Sequence, residues 1–527
     1  MCMIHVVCIV HIEHDAPAGP TQHHRTEGPT RMSNSTMRET PAHETSPHTR
    51  PQVVVATLAL AGIVAALMQT LVVPLIGDLP SLLGASPSST TWVITVTLLA
   101  AAVATPVAGR LGDMYGKKRL ILACTVPLVL GSVVCALSSS VVPMIAGRGL
   151  QGLGMGIVPL GISLLRDVLP EQRVGSAIAL MSASMGVGGA LGLPFSAAIA
   201  EHGSWRTLFW VAAGLSLVVA VMVAVFVPKG AARTAPGRFD ILGAVGLGAG
   251  LVALLLAISR GSDWGWASGT TVSLFVGAAL VLVAWGWWEL RTRQPLVDLR
   301  VTARPQVLMT NLASVLVGFA MYAQSLVLPQ LLQLPVETGY GLGQTMLAMG
   351  LWMAPAGLMM MAVAPVGARL SAVRGPKVTL ALGALVIATG YASSMLLLGS
   401  TWGILVVTLV CNSGVGLAYG AMPALIMSAV PRDETAAANS FNALMRSIGS
   451  SVAAAVMGMI LAHMTMDLGG TALPTEAGFR TALLIGAGVG LAAAVVAALI
   501  PVRRATVTGN PAEATPSRTP EPASTSA

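Results

Sequence analysis

From residue 53 to residue 500 the chain alternates apolar runs of about twenty residues with short polar segments. At 1.5 Å per residue a run of that length spans about 30 Å, the thickness of a hydrocarbon core. Such runs predict helices buried in lipid, since strands are shorter and surface helices carry a polar stripe. The pattern predicts fourteen of them: 53–76, 90–108, 120–138, 142–164, 175–199, 207–227, 241–259, 269–288, 306–333, 344–368, 378–398, 402–429, 437–462 and 480–500. Residues 378–431 carry no charge, and the break between the two helices there falls at Gly399-Ser400-Thr401.

The pattern repeats. The segment AGRLGDMYGKK at 108–118 returns as GARLSAVRGPK at 367–377, an offset of 259 residues. Pro170 in LPEQRVGSA is echoed by Pro431 in VPRDETAAA, an offset of 261. Two related six-helix halves with two helices inserted between them account for both echoes, and repeated halves around a central site are a transporter plan. The expected organisation is an all-α integral membrane protein. A six-helix bundle lies at 52–228, two inserted helices with their flanking loops at 229–305, and a second six-helix bundle at 306–502.

Composition sharpens this reading. Of 527 residues 54% are apolar and 9% charged, against about 25% charged in a soluble domain. The net charge of +8 would suit a nucleic-acid binder, but 24 of the 29 Lys and Arg fall in the two tails and alternate loops. The opposite loops hold Arg206, Arg260 and Arg480. Positive charge collects on the cytoplasmic side, so both termini are expected in the cytoplasm of a multi-pass cell-membrane protein, with the lipid bilayer and not nucleic acid as partner.

Residues 1–51 hold seven of the nine histidines among many Pro, Thr and Ser and read as a disordered cytoplasmic tail. Translation from Met32 or Met37 would remove most of it. The opening MCMIHVVCIVHI is too short to span and lacks a basic leader. The histidines show no regular ligand spacing, so no metal site is expected. Residues 503–527 read as a second polar tail. Cys124 and Cys135 stand eleven residues apart in one run, about 16 Å along a helix, too far to bridge. No G-x-x-x-x-G-K-[ST] occurs, which argues against ATP. His202 and His463 are isolated, which argues against an enzyme, and no cofactor is expected. No charged pore ring marks a channel.

Two places carry chemistry. In GRLGDMYGKKR at 109–119, Gly109, Gly112 and Gly116 permit a tight turn and close helix approach. Asp113 there stands among Arg110, Lys117, Lys118 and Arg119, which predicts a switchable ion pair at the membrane face, a gate. Arg148 lies in the fourth run, about 9 Å from its outer end. A charge at such depth costs at least ~2.5 kcal/mol and marks function. Arg446 lies about 14 Å into the thirteenth run, within reach of snorkelling to the cytoplasmic face. All 21 acids sort to helix ends or loops, none to mid-span.

These residues resemble the motifs of the major facilitator superfamily. Gly109, Leu111, Asp113, Gly116 and Lys118 match its signature loop G-x-L-x-D-x-x-G-x-K. Arg148, Gln151, Gly152 and Gly154 are similar to its R-x-x-Q-G-x-G. The fifth run, GVGGALGLPFSAA, resembles the antiporter motif through Gly188 and Gly192, although Leu193 separates Gly192 from Pro194 and alanines replace the final glycine pair. Fourteen runs, RFDILGA at 238–244, WGW at 264–266 and PLVDLR at 295–300 make the chain similar to the fourteen-helix drug–proton antiporters, over about residues 52–502.

The resemblance implies a secondary transporter that exports amphiphilic small molecules against a proton current. In that family the first helix carries an acid in D-x-x-x-x-N. Here Gln69 takes the place of the acid and Pro74 that of the Asn, so Gln69 is expected to hydrogen-bond Arg148. The nearest carboxylates for a coupling proton are then Asp78 and Glu201, since Arg does not titrate in this range. Asn311, Tyr322, Gln324, Asn412 and Tyr419 fall on the helices that line the cavity in this fold. Gly152/Gly156 and Gly188/Gly192 are spaced for helix packing. Without a mid-membrane acid, neutral or weakly anionic amphiphiles are the expected cargo. An uncoupled facilitator, an uptake symporter or a non-transporting sensor would share the pattern.

Overall fold

Fourteen helices long and apolar enough to cross a membrane run through the computed structural model, which describes residues 51–72, 75, 79–202, 204–228, 238–468 and 471–501. They are α1 (Pro51–Thr70), α2 (Pro87–Tyr115), α3 (Lys117–Leu137), α4 (Val141–Val168), α5 (Glu171–His202), α6 (Trp205–Phe226), α7 (Ile241–Trp264) and α8 (Gly269–Arg291). The rest are α9 (Pro305–Gln333), α10 (Met346–Arg374), α11 (Pro376–Leu397), α12 (Thr401–Ala429), α13 (Thr435–His463) and α14 (Glu476–Leu499). The protein is a multi-pass membrane protein of helical fold.

The helices differ from the hydropathy pattern mainly at their ends. α2 continues as helix through the glycine-rich segment to Tyr115 instead of turning after residue 108. It stops at Gly116, whose φ of +97° is open to glycine but strained for other residues. α10 likewise runs on to Arg374 and stops at Gly375, φ +88°. These glycines occupy the same place in the two echoed segments, so the repeat extends to the backbone. A short antiparallel hairpin between α13 and α14, pairing Thr465–Leu468 with Thr471–Pro474, was absent from the pattern. Tyr340 Oη donates to its Pro474 carbonyl and ties it to the turn after α9.

Two cores hold the spans. One gathers residues of α1 to α6, including Leu58, Met68, Ile121, Leu160, Met181 and Phe209. The other gathers α9 to α14 around Val317, Leu328, Ile387, Tyr391, Met422 and Phe479. Among the helix pairs that join them, two approach closely through glycine. α5 meets α10 where Gly357 leaves no room for a Cβ against the Gly186 carbonyl and where Gly350 lies against Pro194. α2 meets α13 where a Cβ on Gly109 would lie 2.6 Å from Ser440 Cβ and 2.7 Å from the Ala436 carbonyl. Small residues let backbones approach where lipid supplies no hydrophobic drive.

The inserted pair is central in the chain but peripheral in space. α7 packs on α2 and α13 through Leu247, Leu251 and Leu255 against Leu99, Ala102 and Leu444. Only 11% of the most apolar window of α8 is buried, so most of its surface faces lipid. Val276, Leu280, Val283 and Trp287 stand exposed there, as a lipid-facing helix requires.

Candidate functional site

The face that carries most Lys and Arg bears a polar latch between the halves. The first amides of α13 need acceptors, and Glu434 at its N-cap supplies no side-chain hydrogen bond. Asp113 of α2 fills the vacancy. Its Oδ1 accepts from Ala436 N at 3.2 Å and its Oδ2 from Ala437 N at 2.8 Å. Lys117, at the start of α3, sits beside it with Nζ 3.9 Å from Asp113. The same Nζ donates to Asp167 Oδ2 at 2.6 Å, to Thr435 Oγ1 at 3.0 Å and to the Ser163 carbonyl at 3.5 Å. Ser163 Oγ lies 2.7 Å from Thr435 Oγ1. Asp113 and Lys117 are buried, so these charge-assisted bonds are little screened by salt. Outside them an exposed pair, Arg432 and Glu171 at 3.1 Å, adds little.

Toward the middle of the first half, Arg148 on α4 is 2% exposed. Its Nε donates to the Val93 carbonyl at 3.2 Å, and its Nη1 to the Met68 carbonyl at 2.8 Å and to Gln151 Oε1 at 2.7 Å. Gln151 Nε2 passes the chain to Ser132 Oγ at 2.8 Å. Thr97 Oγ1 in turn donates to the Arg148 carbonyl at 3.2 Å. Among the described residues no carboxylate lies within ion-pair distance of the guanidinium. The Met68 carbonyl is free to serve because it is among the last four of α1, which a helix leaves without intrahelical donors. A cation there also meets the negative end of the helix dipole.

The second half holds its own buried cation. Arg446 Nη1 donates to Asn442 Oδ1 at 2.7 Å, one turn back on α13. Asn442 Nδ2 donates to Asn311 Oδ1 at 2.8 Å and to Ser314 Oγ at 2.7 Å, both on α9. The Arg446 guanidinium stacks on Tyr419 of α12, 5.1 Å from the ring centroid, and Tyr419 Oη donates to Met321 Sδ at 2.9 Å.

Several sequence expectations change here. Gln69 does not reach Arg148. It is exposed and its Nε2 points to Met155 Sδ at 3.6 Å, because one position along a helix turns a side chain by 100°. Lys118 Nζ donates to the Ala224 carbonyl at 2.9 Å, in the last turn of α6. Arg110 is buried near Asp113 and its charge acts on that carboxylate. It lines a cavity of about 210 Å³ with Arg293, Asp298, Asn311, Asp433 and Glu434.

The echoed segment Arg369–Lys377 has no hydrogen bond or ion pair to the first half among the described residues, for Ala372 stands where Asp113 would. Arg446 does not snorkel, being 9% exposed. Asn311 belongs to the network with Asn442, and Asn412 donates to the Thr408 carbonyl of its own helix. Tyr322 is half-buried on α9, and Gln324 is buried with Oε1 unpartnered. Asp78 lies outside the described residues, as does the side chain of Glu201.

The glycines serve packing. Gly152 sits against the Thr97 carbonyl, Gly156 against Ala108, Gly188 against the Ile63 carbonyl and Gly192 against Thr70. Sequence reasoning missed Thr435, Ser163 and Asn442. Asn442 had a signal, standing four residues before Arg446 on one helical face.

Residues 58–454 match the family model described as Major Facilitator Superfamily. Over 304 residues the chain is 32% identical to an uncharacterised MFS-type transporter of Mycobacterium tuberculosis, covering 57% of this chain and 43% of the relative. The chain therefore aligns with less than half the length of that relative. It is 27% identical over 374 residues to the multidrug resistance protein Stp of the same species, covering 70% of this chain and 68% of Stp. Among solved structures it resembles the human organic anion transporter MFSD10 (TETRAN), with a TM-score of 0.61 at 15% identity over 85% of this chain and 99% of that one. That likeness is one of fold.

Proposed function

Because the chain belongs to the Major Facilitator Superfamily, we propose that it is a secondary transporter of the fourteen-helix drug–proton antiporter type. It exports amphiphilic small molecules across the cell membrane by rocking its two halves. The observation that carries this reading is the latch. Asp113 on one half caps a helix of the other through two amides, a contact that must break if the basic face is to open. The similarity to Stp supports a drug-like cargo. The 24 to 3 asymmetry of Lys and Arg in loops and tails supports placing the basic face and both termini in the cytoplasm.

The proton is assigned to Asp78 or Glu201 at the outer side. Arg148 on α4 answers to their charge, Asp78 following α1 in the chain and Glu201 lying at the end of α5. The inserted helices brace α2 and α13 from the lipid side.

Inverted membrane vesicles energised acid-inside test the reading. Addition of amphiphilic drugs should collapse the pH gradient in the wild type and not in Arg148→Ala. Drug binding without collapse would favour a facilitator or a sensor. Retained coupling in both Asp78→Asn and Glu201→Gln would remove those acids from the mechanism.

A further inference from the structure

The buried arginines Arg148 and Arg446 differ in how much of the guanidinium is engaged: three hydrogen bonds for Arg148 against one for Arg446 among the described residues. Arg148 spends its donors on two backbone carbonyls and Gln151. Arg446 has five N–H donors, and among the described residues one goes to Asn442 Oδ1 while no other hydrogen bond or ion pair engages the group. It lies eleven residues into α13, about 16 Å from the helix start, and Tyr419 lies ten residues from the end of α12, about 15 Å. Both stand well inside their spans, more than two helical turns from either end.

The fork is held rather than loose. Asn442 is oriented by its bonds to Asn311 and Ser314, so its carbonyl oxygen faces the guanidinium. The backbone at Arg446 is pressed on Gly318, where a Cβ would lie 2.9 Å from Arg446 Cα. Tyr419 backs the planar face of the cation. An unneutralised charge at this depth is expensive, and a planar fork held with open donors matches the two oxygens of a carboxylate or sulfonate.

We propose that Arg446 is the docking residue for an anionic group on the transported amphiphile, whose apolar body lies along Tyr419 and Met321. The proposal rests on the export reading and names the charge of its cargo. A carboxylate or sulfonate brings its own neutralising charge to a cation that has no ion pair among the described residues, whereas an ammonium would add a second cation.

Equilibrium dialysis of the full-length protein in lipid nanodiscs tests this with three probes of one shape: 2-naphthoate, naphthalene-2-sulfonate and the neutral 2-naphthamide. The two acids are expected to bind at least tenfold tighter than the amide. Arg446→Gln should erase that preference and Arg446→Lys should keep part of it, with thermal melting confirming that both variants fold. Equal affinity for acids and amide in the wild type overturns the proposal without reference to any variant. So does a preference that survives Arg446→Gln. No gradient is present, so loss of coupling in vesicles with the preference intact would count against the export reading alone. Working export with equal binding would count against Arg446 alone.

Discussion

Asp113 and Ala437 stand on different halves of the molecule, 324 residues apart, yet the carboxylate of one accepts the backbone amide of the other at 2.8 Å. A helix N-cap is ordinarily local. Here α13 takes its acceptor from α2, so one carboxylate serves both that helix end and the contact between the halves. The positive end of the helix dipole strengthens the bond. Lys117 balances the charge and reaches Thr435 as well, which makes the latch a cooperative unit rather than a lone ion pair.

Replacing Asp113 by Asn should open that face. The amide keeps one acceptor, presents a donor to the second backbone N–H and loses the attraction to Lys117. Hydrogen bonds to charged groups contribute ~1.5–3 kcal/mol, so the closed state should lose roughly tenfold or more in population. Spin labels at the exposed positions Tyr115 and Arg432 should report a longer mean separation by electron–electron resonance. An unchanged distance distribution would mean that the capping bonds do not hold the halves.

Gly109→Ala tests the same contact by shape. The new Cβ would lie 2.6 Å from Ser440 Cβ and 2.7 Å from the Ala436 carbonyl. The Ser440 hydroxyl can rotate aside but its Cβ and the Ala436 backbone cannot, so Ser440→Gly, which removes the Cβ, should give only partial rescue. Transport is expected to fall about tenfold while the protein still reaches the membrane, since a forced overlap costs ~1–3 kcal/mol. Normal transport in Gly109→Ala would show that α2 and α13 do not approach this closely in the working cycle.

What the sequence revealed and what it hid divide along a physical line. Side chains that violate the lipid pattern were visible: Arg148 and Arg446 as cations inside apolar runs, Asp113 as an acid in a glycine frame. Their partners are largely backbone groups, which every residue possesses and no pattern marks. The Met68 carbonyl became available because α1 ends at Thr70, and the amides of Ala436 and Ala437 because α13 begins at Thr435. Gln69 was the natural partner by motif alignment, but it sits one position past the residue whose carbonyl does the work. The repeat was legible, as Gly116 and Gly375 show, while its break at Ala372 decides that one half carries the latch acid.

Gln69→Glu separates the motif reading from the geometry. If Gln69 faces Met155, as its 3.6 Å contact indicates, a carboxylate there should leave Arg148 on its carbonyls and change coupling little. Arg148→Lys should be far more damaging, for an ammonium cannot serve the carbonyls of Val93 and Met68 and Gln151 in the guanidinium's planar arrangement. At least a tenfold fall in gradient-driven efflux is expected, against less than twofold for Gln69→Glu. Comparable losses in the two variants would restore Gln69 as the partner.

Gly243→Ala asks whether the inserted helices brace the gate. Asp240 caps α7 by accepting from Gly243 N at 2.8 Å, and Glu289 at the end of α8 accepts from Trp285 Nε1 at 3.0 Å. A Cβ at position 243 would lie 2.5 Å from Asp240 Oδ2 and 2.7 Å from Glu289 Oε1, so it would push two carboxylates apart and splay α7 from α8. The cost should be ~1–3 kcal/mol, seen as a lower melting temperature and a shift in tryptophan emission, because Trp288 Nε1 also donates to Asp240 at 3.1 Å. α7 packs on α2 and α13, so the strain should reach the latch. The Tyr115–Arg432 separation should therefore lengthen in Gly243→Ala as it does in Asp113→Asn, though by less. A lower melting temperature with an unaltered separation would make the inserted pair a lipid-facing appendage instead of a brace.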